Sequence, residues 1–164
     1  MNKPFISYCI SVCDEIVELK RLVDILNKYK HPDDEIIIQQ DELTKFNQGT
    51  KDVQNYINEL LFLGEIKFSS FPLNNDFATF KNNFNKVSKG EWIFQLDADE
   101  YPHEELLTSL RDILSMNTET DLIYVPRINT VEGLTNSDIQ KWGWNVSESG
   151  RINFPDKQGR LYRN

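Results

Sequence analysis

Apolar positions along the chain alternate between two spacings. Apolar runs with β-branched residues predict buried strands, as at residues 5–12 and at the three isoleucines within residues 34–39. Stripes at three- and four-residue spacing, such as the one from Ile16 to Leu26, predict amphipathic helices. Because strand and helix follow each other throughout, the pattern predicts an α/β fold with a mostly parallel sheet and helices on both of its faces.

Six strands and four helices are predicted from this pattern. The strands are expected at residues 5–12, 34–39, 66–68, 92–96, 122–125 and 160–163. The helices are expected after an Asp14 cap and ending before His31, around residues 53–61 with a stop at Gly64, at residues 77–87 with Gly90 closing them, and from Pro102 through Leu114. Polar loops are expected up to Gly49 and from Asn129 onward.

Composition limits the classes of function. The 164 residues correspond to a single domain, residues 1–164. Twenty-six acidic against eighteen basic residues give a net charge of −8, which argues against nucleic acid or an anionic membrane surface as a partner. No apolar run approaches the ~20 residues of a membrane span and no secretory signal is recognisable, so we expect a cytoplasmic protein with no transmembrane segment. Cys9 and Cys13 lie too far apart along an extended strand for a disulfide and are expected to be buried free thiols.

Polar residues follow several of the predicted strands. Ligands of open α/β sheets bind at the carboxyl ends of the strands, which makes these residues the first candidates for a site. They are Asp14-Glu15, Gln40-Asp41, Asp76 and Asp97-Ala98-Asp99. For Asp14 and Asp76, capping of the following helix is an equally good explanation.

The pair Asp97 and Asp99 is the most specific of these features. Two carboxylates one residue apart after a buried strand repel each other unless a cation lies between them, and Mg²⁺ or Mn²⁺ takes such oxygen ligands together with substrate phosphates. An EF-hand is excluded because Pro102 and Thr108 stand where its loop needs Gly and Glu. The sequence contains no G-x-S-x-G, Walker A or G-x-G-x-x-G motif.

Three segments resemble a known family. Residues 76–82 read DFATFKN, residues 89–92 read KGEW, and residues 96–100 read LDADE. This series resembles the central segment of glycosyltransferase family 2, which has the GT-A fold. The tail at residues 154–164, FPDKQGRLYRN, is similar to the F-x-D-x-Q-x-R-[LI]-[FY]-R segment of a bacterial and viral subgroup. The resemblance covers nearly the whole chain.

The resemblance implies a donor site for a nucleotide sugar. Asp99 would bind the Mn²⁺ or Mg²⁺ that bridges the donor diphosphate, and Asp97 would contact the ribose, or the metal through water. Asp41 would accept a hydrogen bond from the base, most often uracil, while Glu15 and Lys81 would line the nucleotide pocket. Residues 1–100 would form this nucleotide-sugar and metal-binding part, and residues 101–164 a short acceptor-side part.

The acceptor side is less well specified. An inverting transfer needs a carboxylate that deprotonates the acceptor hydroxyl, and Asp156 is the candidate base; capping of a turn after Pro155 is the competing explanation. Trp142 and Trp144 are candidates to stack on a sugar acceptor, or they cover the sheet as buried side chains. The acceptor itself could be a glycan, a lipid or a protein.

Departures from the family pattern keep a second function open. Residues 13–15 read CDE where RNE is commoner, which leaves the base undecided, and no Glu-Asp acceptor motif follows the sheet. We therefore expect a metal-dependent, inverting glycosyltransferase with a UDP-sugar donor, and keep as the alternative a non-catalytic nucleotide-sugar or glycan-binding module. A nucleotidyltransferase would need a Gly-rich, basic phosphate loop near the N-terminus, which is missing.

Overall fold

Six strands and six helices make up the parts of the chain that the computed structural model describes, residues 5–41 and 47–164. The strands are β1 Ile6–Val12, β2 Glu35–Asp41, β3 Lys67–Phe71, β4 Trp92–Asp97, β5 Leu122–Asn129 and β6 Ile152–Arg163. The helices are α1 Ile16–Tyr29, α2 Gln48–Leu63, α3 Phe77–Asn82, α4 Phe84–Val87, α5 Glu104–Met116 and α6 Asn136–Trp142. The polar loop predicted before Gly49 falls largely on residues 42–46, outside the described residues.

All six strands form one mixed sheet in the order β3-β2-β1-β4-β6-β5. The first four are parallel, so β1, β2 and β4 end at the same edge. β6 pairs antiparallel with both β4 and β5. The prediction of a mostly parallel α/β sheet is therefore confirmed, with an antiparallel hairpin added at one side.

Alternate residues of the central strands enter two separate cores. Tyr8 and Ile10 of β1 face the larger core, together with the buried leucines of α1 and α5. Cys9 lies between them in sequence but packs on the other face against Phe84 of α4. Because side chains alternate across a strand, helices cover both faces of this part of the sheet, as predicted.

Several predicted element boundaries are wrong. The helix expected at residues 77–87 is divided at Asn83, whose buried side chain donates to Gln39 Oε1 at 2.9 Å and to Ser69 Oγ at 3.1 Å. Helix α5 begins at Glu104, so Pro102 lies before it and not in its first turn. Helix α6 was not predicted, and β6 begins eight residues earlier than the expected residue 160.

The two candidate helix caps behave differently. Asp76 caps α3, accepting a hydrogen bond from Thr79 N at 3.0 Å. Asp14 does not cap α1, because Glu15 occupies the capping position; its Oδ2 accepts instead from Asn47 Nδ2 at 3.0 Å. Asp14 thereby ties the end of β1 to the start of α2.

The two cysteines differ in their surroundings. They form no disulfide with each other, and only Cys9 is fully buried, whereas Cys13 is partly exposed, contrary to expectation. Burial raises the pKa of the Cys9 thiol to about 12, although a hydrogen-bonding contact with Ser88 opposes the shift. Cys9 is therefore an unreactive thiol at neutral pH.

Two acidic residues fasten the edge of the sheet opposite the strand ends. The Asp34 side chain is 1% exposed, accepts from Ile6 N at 3.0 Å and pairs with Arg111 of α5 at 2.5 Å. Glu35 accepts from Ser7 Oγ at 2.5 Å and from Lys89 N at 2.7 Å. Among the helices of the described residues, none is long and apolar enough to cross a membrane.

Candidate functional site

A cleft of about 330 Å³ opens where β1, β2 and β4 end. Its walls include all five residues that the sequence assigned to donor and metal binding: Glu15, Asp41, Lys81, Asp97 and Asp99. They come from three strand ends and from α3, which lies above the cleft. The parallel arrangement of the strands therefore brings together residues that are up to 84 positions apart in the chain.

Asp97 is held between two cations. Lys81 Nζ donates to its Oδ1 at 2.7 Å and to its Oδ2 at 3.0 Å. Arg160 of β6 donates to Oδ2 at 3.1 Å. The negative charge of Asp97 is therefore already compensated by the protein, and its carboxylate has a defined orientation.

Asp99 has the opposite environment. Its side chain is exposed at the mouth of the cleft. Within residues 5–41 and 47–164, no hydrogen bond or ion pair reaches its carboxylate. The two carboxylates of the predicted pair thus differ: Asp97 pairs with two cations, whereas Asp99 pairs with none among the described residues.

Glu15 and Asp41 shape the cleft through backbone contacts. Glu15 Oε2 accepts from Cys13 N at 2.8 Å and from Asp14 N at 3.1 Å, which closes the turn after β1. Asp41 Oδ1 accepts from Leu73 N at 2.8 Å and so holds the loop after β3 against β2. Both carboxylates therefore accept hydrogen bonds from the backbone that forms the walls of the cleft.

Two further residues of the cleft were not predicted. Ser11 lies in register between Gln39 of β2 and Asp97 of β4, and its buried Oγ has no hydrogen-bond partner among residues 5–41 and 47–164. Phe77 is 65% exposed although it lines the cleft. An apolar pattern shows Phe77 only as part of a helix stripe, and Ser11 only as a small residue in a strand, so neither was recognisable from the sequence.

Asp156 does not line the cleft. Asp156 lies in β6, and its Oδ2 accepts from two residues of β5, Asn129 Nδ2 at 3.0 Å and Arg127 Nε at 2.9 Å. Its Oδ1 accepts from Gln158 Nε2 at 2.6 Å. These hydrogen bonds, from Asn129 first and then from Arg127 and Gln158, lower the pKa of its carboxyl. Asp156 lies within a strand, so the competing explanation of a turn cap is wrong.

A bridge of charges links Asp156 to the cleft. Arg127 also pairs with Glu100 Oε1 at 3.2 Å, and Arg160 pairs with that same oxygen. Arg160 stands in the tail segment noted in the sequence, but no function was assigned to Arg127, Arg160 or Glu100. These contacts join positions 60 or more residues apart for Arg160, and no sequence spacing predicts them.

The two tryptophans lie on and next to α6. Their rings stack at a centroid separation of 6.1 Å with an interplanar angle of 20°. Trp142 is 62% exposed, so the expectation that both rings are buried over the sheet is wrong. Neither tryptophan lines the cleft.

The sequence matches a family model over nearly its whole length. The model described as "Glycosyl transferase family 2" matches residues 7–162. The chain belongs to glycosyl transferase family 2. No protein with a curated description matches the sequence.

The solved structures that share this fold are of longer chains. TarS 1-349 of S. aureus superposes with a TM-score of 0.62 and 17% identity, covering 97% of this chain and 47% of TarS 1-349. Its complex with UDP gives a TM-score of 0.63 and 16% identity, covering 97% and 46%. The mannosyltransferase PcManGT from Pyrobaculum calidifontis, in complex with GDP-Man and Mn²⁺, gives 0.56 and 13%, covering 99% and 45%. The family 2 chain described here spans about half the length of these proteins, and at these identities the likeness shows a common fold.

The side chains of the cleft in this family 2 chain can be compared with the ligands that a divalent cation prefers. Asp97 and Asp99 offer hard carboxylate oxygens, which suit Mg²⁺ and Mn²⁺. Throughout the described ranges, no group of three or more His, Cys, Asp and Glu side chains is arranged to hold a metal. The residues therefore fit a cation that takes one or two protein carboxylates and completes its coordination with phosphate oxygens and water.

Proposed function

We propose that this family 2 chain is a glycosyltransferase domain that binds a nucleotide sugar, a UDP-sugar in the first place, in the cleft at the strand ends. The sugar is transferred with inversion to an acceptor hydroxyl. The observation that carries the proposal is the uncompensated Asp99 carboxylate beside the neutralised Asp97 and the Lys81 ammonium in one cleft. This combination suits a ligand that brings its own cation and a diphosphate.

Each residue has a distinct part in donor binding. Asp99 would hold Mn²⁺ or Mg²⁺, and the cation would supply positive charge to the diphosphate leaving group. Asp97 accepts from a ribose hydroxyl, because its carboxylate is oriented and charge-compensated. Lys81 offers its ammonium to the nucleotide, and Glu15 and Asp41 set the width of the pocket through the turns they hold.

The nucleotide is proposed from what related proteins bind. TarS is described in complex with UDP and PcManGT with GDP-Man and Mn²⁺, so both nucleotides belong in the test. Phe77, exposed in the wall of the cleft, offers a flat apolar surface against which a base can pack.

Catalysis and acceptor binding are proposed for the residues beyond β4. Asp156 is the candidate base for the acceptor hydroxyl, and its lowered pKa makes it a weak one. The exposed Trp142, stacked on Trp144, is the candidate platform for the apolar face of an acceptor sugar. A glycan-bearing acceptor is accordingly preferred over an acceptor without sugar.

A non-catalytic donor-binding module is the second candidate. The observation that favours it is the carboxylate of Asp156, which already accepts hydrogen bonds from Asn129, Arg127 and Gln158. In the catalytic function, the acceptor hydroxyl exchanges with one of these donors. Without that exchange the protein binds the nucleotide sugar and does not turn it over.

Thermal shift with nucleotides tests donor binding. UDP and GDP are each added with Mn²⁺, with Mg²⁺ and with EDTA, and we expect the melting temperature to rise only when nucleotide and cation are both present. Asp99→Ala is expected to remove the rise and Asp112→Ala, an exposed carboxylate on α5, to keep it. A rise that survives in Asp99→Ala contradicts the metal assignment, and the lack of any rise in the wild type contradicts the function.

A further inference from the structure

An alternating row of charged groups leads from the β5–β6 hairpin to the cleft. Each neighbouring pair in the row is joined by an ion pair, and the row carries three positive and three negative groups. In order they are Asp156, Arg127, Glu100, Arg160, Asp97 and Lys81. The charges within the row therefore balance, and Asp99 lies outside it.

Arg160 is the point at which this row reaches the cleft. Its Nη2 contacts both Asp97 Oδ2, at 3.1 Å, and Glu100 Oε1. The Arg160 side chain is 13% exposed, so these contacts are screened less by water than surface ion pairs are. One nitrogen atom of β6 thus connects two carboxylates of the acidic segment that follows β4.

Glu100 keeps the acidic segment in a fixed shape. Its Oε2 accepts from Asp97 N at 3.0 Å, and its own N donates to Asp97 O at 2.9 Å, so the turn is closed from both sides. Its Oε1 is the atom shared by Arg160 and Arg127. The turn that carries Asp97 and Asp99 is therefore fastened to the hairpin through Glu100 and through Arg160.

The two cations that contact the Asp97 carboxylate come from different parts of the fold. Lys81 approaches its carboxylate from α3, and Arg160 approaches it from β6, 63 residues later in the chain. Removing Lys81 leaves one cation on Asp97, and removing Arg160 leaves the other. Only Arg160 also contacts Glu100, so only Arg160 couples the orientation of Asp97 to the shape of the turn.

We propose that Arg160 is a positioning residue of the donor site: its guanidinium holds Asp97 facing the nucleotide and keeps it from competing with Asp99 for the divalent cation. This inference rests on the proposed nucleotide-sugar function. Arg160 makes the two carboxylates different, because it contacts Asp97 and not Asp99. The tail strand β6 is therefore part of the donor site although it does not line the cleft.

The test compares Arg160→Gln with Arg127→Gln, which loses the ion pairs to Glu100 and Asp156 but touches nothing at Asp97. Binding of Mn²⁺ alone and of UDP with Mn²⁺ is measured for both variants and for Arg160→Lys. We expect Arg160→Gln to weaken UDP binding about tenfold or more. We expect its affinity for Mn²⁺ alone to stay equal or rise, because one of the two cations that compensate Asp97 is removed and Lys81 alone remains on it. Arg127→Gln should stay within about threefold of the wild type for both ligands.

Rescue separates positioning from general support of the fold. A lysine at position 160 keeps one charged nitrogen that can bridge both carboxylates, so Arg160→Lys should recover most of the UDP affinity. If Arg160→Gln does not fold, Arg160→Met takes its place, because methionine preserves the packing of the arginine stem.

Three outcomes overturn the proposal while leaving the donor site intact. They are wild-type UDP affinity in Arg160→Gln, equal losses in Arg160→Gln and Arg127→Gln, and a parallel loss of UDP and Mn²⁺ affinity in Arg160→Gln. If the wild-type protein binds neither UDP nor GDP, the proposed function is overturned and the role of Arg160 with it.

Discussion

Lys81 of α3 and Asp97 of β4 are joined by two hydrogen bonds, 2.7 and 3.0 Å long, although 16 residues separate them in the chain. The pair forms where a helix passes over the end of a parallel strand. It places a cation and an anion side by side in the cleft. A nucleotide bound there would either contact this ion pair as it stands or break it. The first prediction addresses this pair.

Replacing Lys81 should affect the ligand more than the fold. In Lys81→Met, Asp97 keeps its ion pair with Arg160, so we expect a loss of stability of about 1 kcal/mol or less. UDP affinity in the presence of Mn²⁺ should fall by about tenfold, because a charge facing the nucleotide is lost. Calorimetric titration measures the affinity, and Lys86→Met, an exposed cation on α4, serves as the control. Equal affinity in the two variants would exclude Lys81 from the donor site.

The assignment of Asp156 as the catalytic base leads to a separate prediction. In Asp156→Asn the amide cannot take the acceptor proton, so transfer of the sugar should stop while UDP binding persists. The matched control is Arg127→Gln, which breaks the same ion pair but keeps the carboxylate. Turnover is measured as the amount of UDP released from the donor. Full turnover in Asp156→Asn removes Asp156 as the base, and equal losses in both variants assign the effect to the ion pair.

The ion pair of Asp34 and Arg111 should stabilise the fold. Asp34 is almost fully buried, and Arg111→Met leaves the Ile6 amide, at 3.0 Å, as the hydrogen-bond donor to its carboxylate among the described residues. We expect a loss of about 2–3 kcal/mol in the free energy of unfolding. The control is Lys30→Met, because the Lys30 ammonium contacts the backbone oxygen of Asp34, at 3.3 Å, and not its carboxylate. This variant should lose under about 1 kcal/mol. Urea denaturation measures both; equal values would contradict the argument.

Gly90 should not tolerate a side chain. A Cβ at this position would lie 2.6 Å from the backbone nitrogen and Oγ of Ser7 and 2.9 Å from the carbonyl carbon of Ile6, so β1 would have to move. We expect Gly90→Ala to lose about 2 kcal/mol or more of unfolding free energy. Gly159→Ala provides the comparison, because its Cβ would approach Leu122 no closer than 3.5 Å. A melting temperature of Gly90→Ala within a degree or two of that of Gly159→Ala would count against the close approach.

Glu35 should make stability depend on pH. Burial alone would raise the pKa of its carboxyl, but hydrogen bonds from Lys67, Ser7 and the Lys89 backbone outweigh it and lower the pKa. A group with a lowered pKa in the folded state stabilises the protein above the pKa of the unfolded chain, and this stabilisation is lost as pH falls through the folded pKa.

The corresponding measurement is urea unfolding of the wild type and of Glu35→Gln from pH 7 downward. The wild type should be the more stable protein at pH 7, and the difference should shrink below about pH 4 as the carboxyl becomes protonated. A difference that stays constant over this range would show that the charge of Glu35 is not the cause.

The sheet and its two helical layers were predictable because they follow from local pattern. A buried strand needs a run of apolar residues, and a covering helix needs an apolar stripe, so Ile36–Ile38 and the leucines of α1 identify their elements directly. Strand β6 was underestimated because Asp156, Gln158 and Arg160 alternate with exposed residues and present polar groups to each other. A strand whose inward face is polar carries no apolar pattern, and only pairing with β5 reveals it.

The candidate site was predictable in its members and not in their contacts. Glu15, Asp41 and Asp97 could be brought together in advance, because the ends of parallel strands meet at one edge. The difference between Asp97 and Asp99 could not. It depends on Lys81 and Arg160, and Arg160 reaches the site only because β6 returns antiparallel beside β4.

The amino-acid sequence by itself determined that strands and helices alternate, that acidic residues follow the strands, and that the chain is similar to family 2 proteins. These properties are local: they depend on side-chain spacing and on short segments. Only the tertiary structure decided which carboxylate of the predicted pair, Asp97, forms ion pairs and which one, Asp99, forms none with the described residues. Ion pairs act over a few ångströms in space, and the groups that form them here are brought together by strand pairing between residues far apart in the chain.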